Sequence, residues 1–389
     1  MNYYLLKHAQ SKGWKGQACQ IALIICCMVM SGSSPPVVEE TKVFERIESS
    51  KSGISFNNIV VENVATKENL FDFDYFYNGS GVGIADLNND GLQDIVFCGN
   101  QVENKLYLNK GNLKFQDITK QSGINNGKKW SSGVTFVDVN QDGWLDIYIS
   151  QGGPFDVANR SNLLLINQRD LTFQERASAY NLDDSGISTQ SAFFDYDKDG
   201  DLDCIVMNEN PLYGIEPIAF YNKIGSNTSA YYGSFTHLYR NDGETFTDVS
   251  ITAGLVKPTF GLGLVVSDIN EDGWMDFYIA NDYYIPDALY INNKNGTFSD
   301  QIKDRTNQIS FYGMGADISD INNDGRQDIF VLDMAANDHV RSKTLMASMS
   351  VENFDLLVNR FKYPYQYMFN SLQINTGGGK YNNVAQLEG

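Results

Sequence analysis

The chain alternates short apolar runs with polar, Gly-rich turns, and five of those runs share one layout. Each starts with small residues and ends just before an acidic stretch: Gly81-Val-Gly-Ile-Ala, Gly133-Val-Thr-Phe-Val, Ser191-Ala-Phe-Phe, Gly261-Leu-Gly-Leu-Val-Val and Gly313-Met-Gly-Ala. A second apolar run follows the acidic stretch, as in Ile95-Val-Phe and Ile147-Tyr-Ile. Runs this short, rich in β-branched and aromatic residues, predict buried strands rather than amphipathic helices. A third strand recurs downstream as Leu106-Tyr-Leu-Asn109, Leu163-Leu-Leu-Ile-Asn167, Leu238-Tyr-Arg-Asn241, Leu289-Tyr-Ile-Asn292 and Leu372-Gln-Ile-Asn375. A fourth opens near Phe115, Phe173, Phe246 and Phe298, and several units close on a corner such as Ser122-Gly-Ile124 or Ala253-Gly-Leu255.

The acidic stretches are copies of one pattern, Asp-x-(Asp/Asn)-x-Asp-Gly-x-x-Asp, whose first Asp falls at 86, 138, 195, 268 and 320. Spacings near fifty residues with four strands per unit predict an all-β fold, a β-propeller of four-stranded antiparallel blades. A unit that cannot bury its own faces must stack on its neighbours. About five units are present, and Phe44 with Ser52-Gly-Ile54 reads as the last strand and corner of a preceding one. Residues 372–389 read as the end of the fifth. Two insertions interrupt the repeat. Residues 208–235 carry Pro, Gly, Asn and aromatics including Tyr213, Tyr221, Tyr231 and Tyr232; residues 335–369 read as a helical excursion from Arg341 to Phe361.

The pattern also specifies chemistry. Calcium takes about six to eight oxygen ligands. The four ligand positions are Asp86, Asn88, Asp90 and Asp94; Asp138, Asn140, Asp142 and Asp146; Asp195, Asp197, Asp199 and Asp203; Asp268, Asn270, Asp272 and Asp276; and Asp320, Asn322, Asp324 and Asp328. The carbonyl of the seventh residue is a natural further ligand, and water can complete the shell. Gly at the sixth position permits the reversal because it tolerates positive φ. Carboxylates crowded this closely repel unless a cation lies between them. An EF-hand would need a Glu at position twelve; here that position holds Phe97, Ile149, Val206, Ile279 and Val331.

These loops and their flanking strands resemble the FG-GAP/VCBS repeat family, whose members resemble the calcium-binding blades of integrin α-chain propellers. The chain is most similar to bacterial VCBS proteins that often carry an ASPIC/UnbV module, and the resemblance covers residues 44–389. It implies about five Ca²⁺ sites and membership of a ring of about seven or eight blades. Whether the ring closes within one chain stays open, and an incomplete ring with open edges would favour self-association.

The net charge of −19 is largely that of the loops, which hold sixteen carboxylates at the ligand positions. Such acidity argues against nucleic acid, which needs a basic footprint. Residues 1–33 run from Lys7, Lys12 and Lys15 through an apolar stretch, Ile21 to Met30, to Ser31-Gly-Ser. Ten apolar residues are too few to span a bilayer, so this reads as an export signal or, through Cys26 or Cys27, a lipoprotein leader that would be the chain's only membrane attachment. Residues 34–43 read as a linker and 44–389 as the propeller. Export places the chain in the cell envelope, at the outer surface or outside the cell, where millimolar calcium fills even weak sites. Cys98 and Cys204, in different repeats, read as buried thiols.

Two functions compete. The first is an adhesion or recognition module for protein or glycan at the cell surface, with calcium as a structural staple and the two aromatic insertions either displayed for recognition or capping the core. The second is a polysaccharide-active enzyme, a lyase or hydrolase on a propeller scaffold. His8 lies in the leader and His237 at the start of a strand. That leaves His339, with Arg341 and Lys343 beside Asp333 and Asp338, as the only acid–base candidate, and no Gly-x-Ser-x-Gly or His-Glu-x-x-His motif is present. No catalytic residue is assigned.

Overall fold

Strand after strand in the computed structural model follows the predicted order. The described residues are 44–124, 127–154, 160–226, 228–336, 338, 340–341 and 351–385. The first sheet is β1 (Val82–Ala85), β2 (Asp94–Phe97), β3 (Lys105–Asn109) and β4 (Phe115–Asp117). The second is β5 (Ser131–Val137), β6 (Asp146–Gln151), β7 (Leu163–Asn167) and β8 (Phe173–Glu175). The third is β9 (Ile187–Phe194), β10 (Asp203–Glu209), β11 (His237–Asn241) and β12 (Phe246–Asp248). The fourth is β13 (Gly261–Ser267), β14 (Asp276–Asn281), β15 (Ala288–Asn292) and β16 (Phe298–Asp300). After β17 (Gln308–Ser310) come β18 (Gly313–Ser319), β19 (Asp328–Asp333), β20 (Tyr365–Tyr367), β21 (Ser371–Asn375) and β22 (Tyr381–Asn383). In each four-stranded sheet the strands pair antiparallel in chain order, the fifth being β18-β19-β21-β22. Each acidic loop is the tip of the hairpin between the first two strands.

Four apolar seams lie between successive sheets. Val96 and Leu106 meet Ile147, Ile149 and Leu165; Tyr148 and Leu164 meet Cys204 and Val206; Ile205 and Leu238 meet Phe277 and Ile279; Tyr278 and Leu289 meet Ile329 and Val331. A blade in the middle of the run therefore buries both faces, and β6, β10 and β14 are buried along their whole length. The first strands lie edge to edge and are stitched by side chains: Thr135 Oγ1 donates to the Ser191 carbonyl at 2.8 Å, and Thr189 Oγ1 to the Gly261 carbonyl at 2.9 Å. The approach explains one of the repeated glycines, since a Cβ on Gly133 would lie 2.6 Å from the Thr189 carbonyl oxygen.

The outermost blades differ. Val82 and Ile84 on β1 are 58% and 61% exposed, and Leu332 on β19 is 49% exposed. Among the described residues, no strand pairs the first sheet with the fifth. The chain does fold back across the start of the strands: Tyr75 donates to Asp282 Oδ2 at 2.9 Å, and Tyr283 donates to Asp74. Residues 49–389 form one unit.

Three expectations need correction or extension. Phe44 is not in a strand and is exposed, and among the described residues no strand pairs with it. The corner that follows does dock, with Gly53 against the Phe115 carbonyl just as Gly123 meets that of Phe173 and Gly254 that of Phe298. The insertion read as 208–235 is helical: β10 runs on to Glu209, and an α-helix (Pro217–Ser226) and a 3₁₀ segment (Thr228–Ser234) follow. In the second insertion a helix at Val351–Asp355 passes into a π-helical turn at Leu356–Arg360, and β20 pairs in parallel with β17. The insertions pack on each other, with Phe220, Tyr221 and Ile224 against Leu357, Phe361 and Tyr363. Cys98 and Cys204 are buried free thiols. The leader, residues 1–33, lies outside the described residues.

Candidate metal centres

All five loops are built alike from the backbone outward. The sixth residue, Gly, has φ between 83° and 100° in every copy. The fourth residue is also left-handed in every copy (Asn89, Gln141, Lys198, Glu271 and Asn323, φ from 55° to 62°), although none is a glycine. Two left-handed residues turn the chain tightly enough to aim its N–H groups inward at the first carboxylate. In the second loop Asp138 Oδ1 accepts from Asp142 N at 2.9 Å and Oδ2 from Gly143 N at 2.8 Å. The fourth and fifth loops repeat both bonds, at Asp268 and Asp320.

The ninth residue has a second task. Asp94, Asp146, Asp203, Asp276 and Asp328 are fully buried. One oxygen of each accepts the N–H of the loop's second residue (Leu87, Val139, Tyr196, Ile269 and Ile321) at 3.0–3.1 Å. The other accepts the N–H of the Asn that ends the third strand (Asn109, Asn167, Asn241, Asn292 and Asn375) at 2.7–2.8 Å. That Asn in turn donates from its side chain to the carbonyl of the loop's eighth residue, as Asn109 does to Gln93 at 2.8 Å. These asparagines marked the repeat in the sequence, but their bracing role did not show there; the signal was their identity at one strand position in all five units. Burial pushes Asp146 and Asp276 up to about 6 and Asp203 up to about 7, against the opposing pull of those N–H bonds.

The third loop departs from the others. Its third residue is Asp197 where the rest have Asn, and its seventh is a further acid, Asp201. Carboxylate oxygens of Asp195, Asp197 and Asp203 lie within 4.8 Å of one another. Buried oxygens of Asp195, Asp197 and Asp201 have no hydrogen-bond partner. In the second, fourth and fifth loops a neighbouring cation touches the fifth residue: Arg169 on Asp142 at 3.0 Å, Lys294 on Asp272 at 3.2 Å and Arg326 on Asp324 at 2.6 Å. No ion pair is seen at Asp199 among the described residues. An oxygen-only donor set, converging and uncompensated, fits a hard cation such as Ca²⁺. In that fit the first, third, fifth and ninth residues of each loop would hold the ion, which would neutralise the crowded carboxylates.

The profile described as FG-GAP-like repeat matches residues 76–149 and 268–331. The chain carries FG-GAP-like repeats. The matched stretches hold the first, second, fourth and fifth acidic loops; the divergent third loop falls between them. Cartilage acidic protein 1 of Mus musculus is 26% identical over 57% of this chain and 31% of its own length. Integrin alpha-8 of Gallus gallus is 34% identical over 23% of this chain and 10% of its own. The chain thus spans about a third of the length of the Cartilage acidic protein 1 that it matches. Among solved structures the V. cholerae biofilm matrix protein Bap1 aligns over 66% of this chain and 35% of its own, with 11% identity and a TM-score of 0.34.

The acid–base candidates resolve differently. His339 and Lys343 lie outside the described residues, and Arg341 is an exposed partner of Asp338. His237 belongs to a buried pair that the sequence did not reveal. Its Nδ1 lies 2.5 Å from Asp184 Oδ2, its Nε2 lies 3.0 Å from the Tyr232 carbonyl, and Tyr239 also donates to Asp184. A carboxylate and a carbonyl only accept, so both ring nitrogens donate. The pair holds His237 above its ordinary value, despite burial, and Asp184 below its own. With neither nitrogen free, this His braces the fold and has no lone pair for a substrate proton.

Proposed function

We propose that this chain is an exported recognition or adhesion module whose blades are stapled by calcium at the acidic hairpin tips. The observation that carries the reading is the third loop: buried carboxylate oxygens converge there with no hydrogen-bond partner and, among the described residues, no ion pair, an arrangement that costs free energy unless a cation completes it. The other four loops share its backbone and donor positions. The FG-GAP-like match and the integrin relative support the recognition role, and the leader reading supports export. Protein or glycan is the proposed ligand class.

Binding to the folded loops and not to the unfolded chain stabilises the fold by about 2.7 kcal/mol per site at a hundredfold excess over Kd. Thermal melts of the whole chain in excess calcium and then in chelator test the staple. A fall of ten degrees or more is expected, from about 5–10 kcal/mol lost across several sites at about 2–4 °C per kcal/mol. An unchanged melting temperature would end the reading of the loops as calcium staples.

A further inference from the structure

The end of the blades opposite the acidic tips contains a cavity that the loops do not explain. The first strands begin at this end and the second strands finish here, so Ser132, Ile187, Leu262 and Met314 from four blades converge on it. Its volume is about 190 Å³. Three aromatic side chains line it: Phe73, Tyr75 and Trp130 are each buried, with Phe73 edge-on to Trp130 at 5.5 Å and to Tyr75 at 6.1 Å. Its mouth is polar, formed by Asn78, Gly79 and Ser80, the first two of them exposed.

One carboxylate faces this space. Glu209, the last residue of β10, is 3% exposed, and its hydrogen bond is from the Tyr213 hydroxyl at 3.2 Å. No Lys, Arg or His lines the cavity. The nearest other charge, Asp282, is also negative and pushes Glu209 in the same direction as its burial does, upward. A buried carboxylate with no cationic partner is costly to keep charged. A hard metal ion is a poor remedy, since it needs about six oxygens and Glu209 is the one carboxylate that lines the cavity. An organic ammonium is a good one: its charge meets the carboxylate while its carbon atoms lie against ring faces, which attract cations through their quadrupole.

We propose that this cavity binds an organic ammonium group, with Glu209 as the counter-ion and Phe73, Tyr75 and Trp130 as the aromatic wall. The group is either a free quaternary headgroup or the ammonium of a lysine side chain on a protein partner. The site lies several residues along each strand from the acidic loops, so calcium occupancy and ammonium binding are separable.

The test is calorimetric titration of the calcium-loaded full chain with three probes: choline chloride, its neutral carbon isostere 3,3-dimethylbutan-1-ol, and N-acetyl-lysine amide. Choline or the lysine amide is expected to bind at least tenfold more tightly than the neutral alcohol, and whichever of the two does so identifies the source. In Glu209→Gln, which keeps the shape and a partner for Tyr213, that preference is expected to fall at least tenfold. Phe73→Leu should weaken the ammonium probe several-fold and leave the alcohol nearly unchanged. Equal binding of charged and neutral probes, or binding of none, overturns the proposal. Should Glu209→Gln fail to fold, the wild-type comparison of choline with its isostere still decides the matter.

Discussion

Carboxylates gather at both ends of the run of blades, yet opposite devices hold them. At the hairpin tips, backbone N–H groups are aimed at the first carboxylate, and in the third loop the carboxylates of the first, third and ninth residues converge without a cation of the chain's own paired to them. At the other end, Asp184, Asp282 and Asp287 are buried and matched from within the chain, by His237 or by tyrosine hydroxyls. The ninth Asp of each loop is buried like the second group and held by N–H donors of the chain, and in the third loop it also converges with the first and third carboxylates. A carboxylate is thus a ligand or a structural brace according to how many N–H and O–H donors the chain itself supplies.

The largest effect is expected where the two designs overlap. Asp276→Ala strands the N–H groups of Ile269 and Asn292 in a buried place. Each unpaired donor costs about 1–3 kcal/mol, so urea unfolding in chelator should show a loss of about 4 kcal/mol. Asp272→Ala, four residues earlier and partly exposed, should cost about 1 kcal/mol under the same conditions. Equal losses for the two would show that the ninth Asp is no brace.

Next is the internally matched end. Asp184→Asn leaves a buried imidazolium without its counter-charge and should destabilise by about 3 kcal/mol. The pair also has a pH signature. His237 is raised in the folded chain, so its contribution is complete below the ordinary His value of about 6.5 and fades as pH rises through the folded value. Asp184 is lowered, so its contribution is complete above about 4 and fades as pH falls through the folded value. The stability gap between wild type and His237→Asn should therefore be widest near pH 5–6 and shrink toward pH 9. A gap that widens on the alkaline side would mean that His237 is buried neutral.

A smaller effect, with a change of sign, separates the third loop from the rest. Asp197→Asn installs the residue that the other four loops carry. In chelator it should stabilise by about 0.5–1 kcal/mol, the scale of one like-charge contact near water. In calcium it should destabilise, because a carboxylate ligand is lost. Destabilisation in both conditions would mean that Asp197 is held by the protein and not by repulsion awaiting a cation.

How much of this was legible depended on the range of each interaction. The nine-residue loops are local: their carboxylate spacing, their glycine and the strands on either side are all present in the sequence, and the structure keeps them in those positions. The bracing of Asp146 was not legible because Asn167 lies on the third strand, beyond a hairpin whose register must be known first. Left-handed Gln141 and Lys198 were missed because neither residue favours positive φ; the inward-facing carboxylate of the loop imposes it. The insertions looked like display loops because polar and aromatic residues mix in them, yet Phe220 and Leu357 bury one another only after two blades have brought them together. His237 gave no sign in the sequence, since its partner lies fifty-three residues away at a corner.

The smallest expected effect tests the cations beside the loops. Arg169 reaches Asp142 Oδ2 through Nη2 at 3.0 Å and Nε at 3.3 Å, but it is 58% exposed. Exposed pairs of this kind are worth about 0–1 kcal/mol, so Arg169→Ala should change stability in chelator by less than about 0.5 kcal/mol. Its effect on calcium should be easier to see. A positive charge held beside a cation site opposes the ion by about 1 kcal/mol at these distances in water, so removing it should tighten the second loop about fivefold, less at high salt. Trp144, whose backbone N–H donates to Asp142 Oδ1 at 3.0 Å, is a built-in reporter once Trp274→Phe has removed the matching signal from the fourth loop. Weaker calcium binding in Arg169→Ala would reverse the argument: the guanidinium would then be holding Asp142 in its ligating position, and the second loop, like the ninth Asp, would depend on the chain's own donors before it could use a metal.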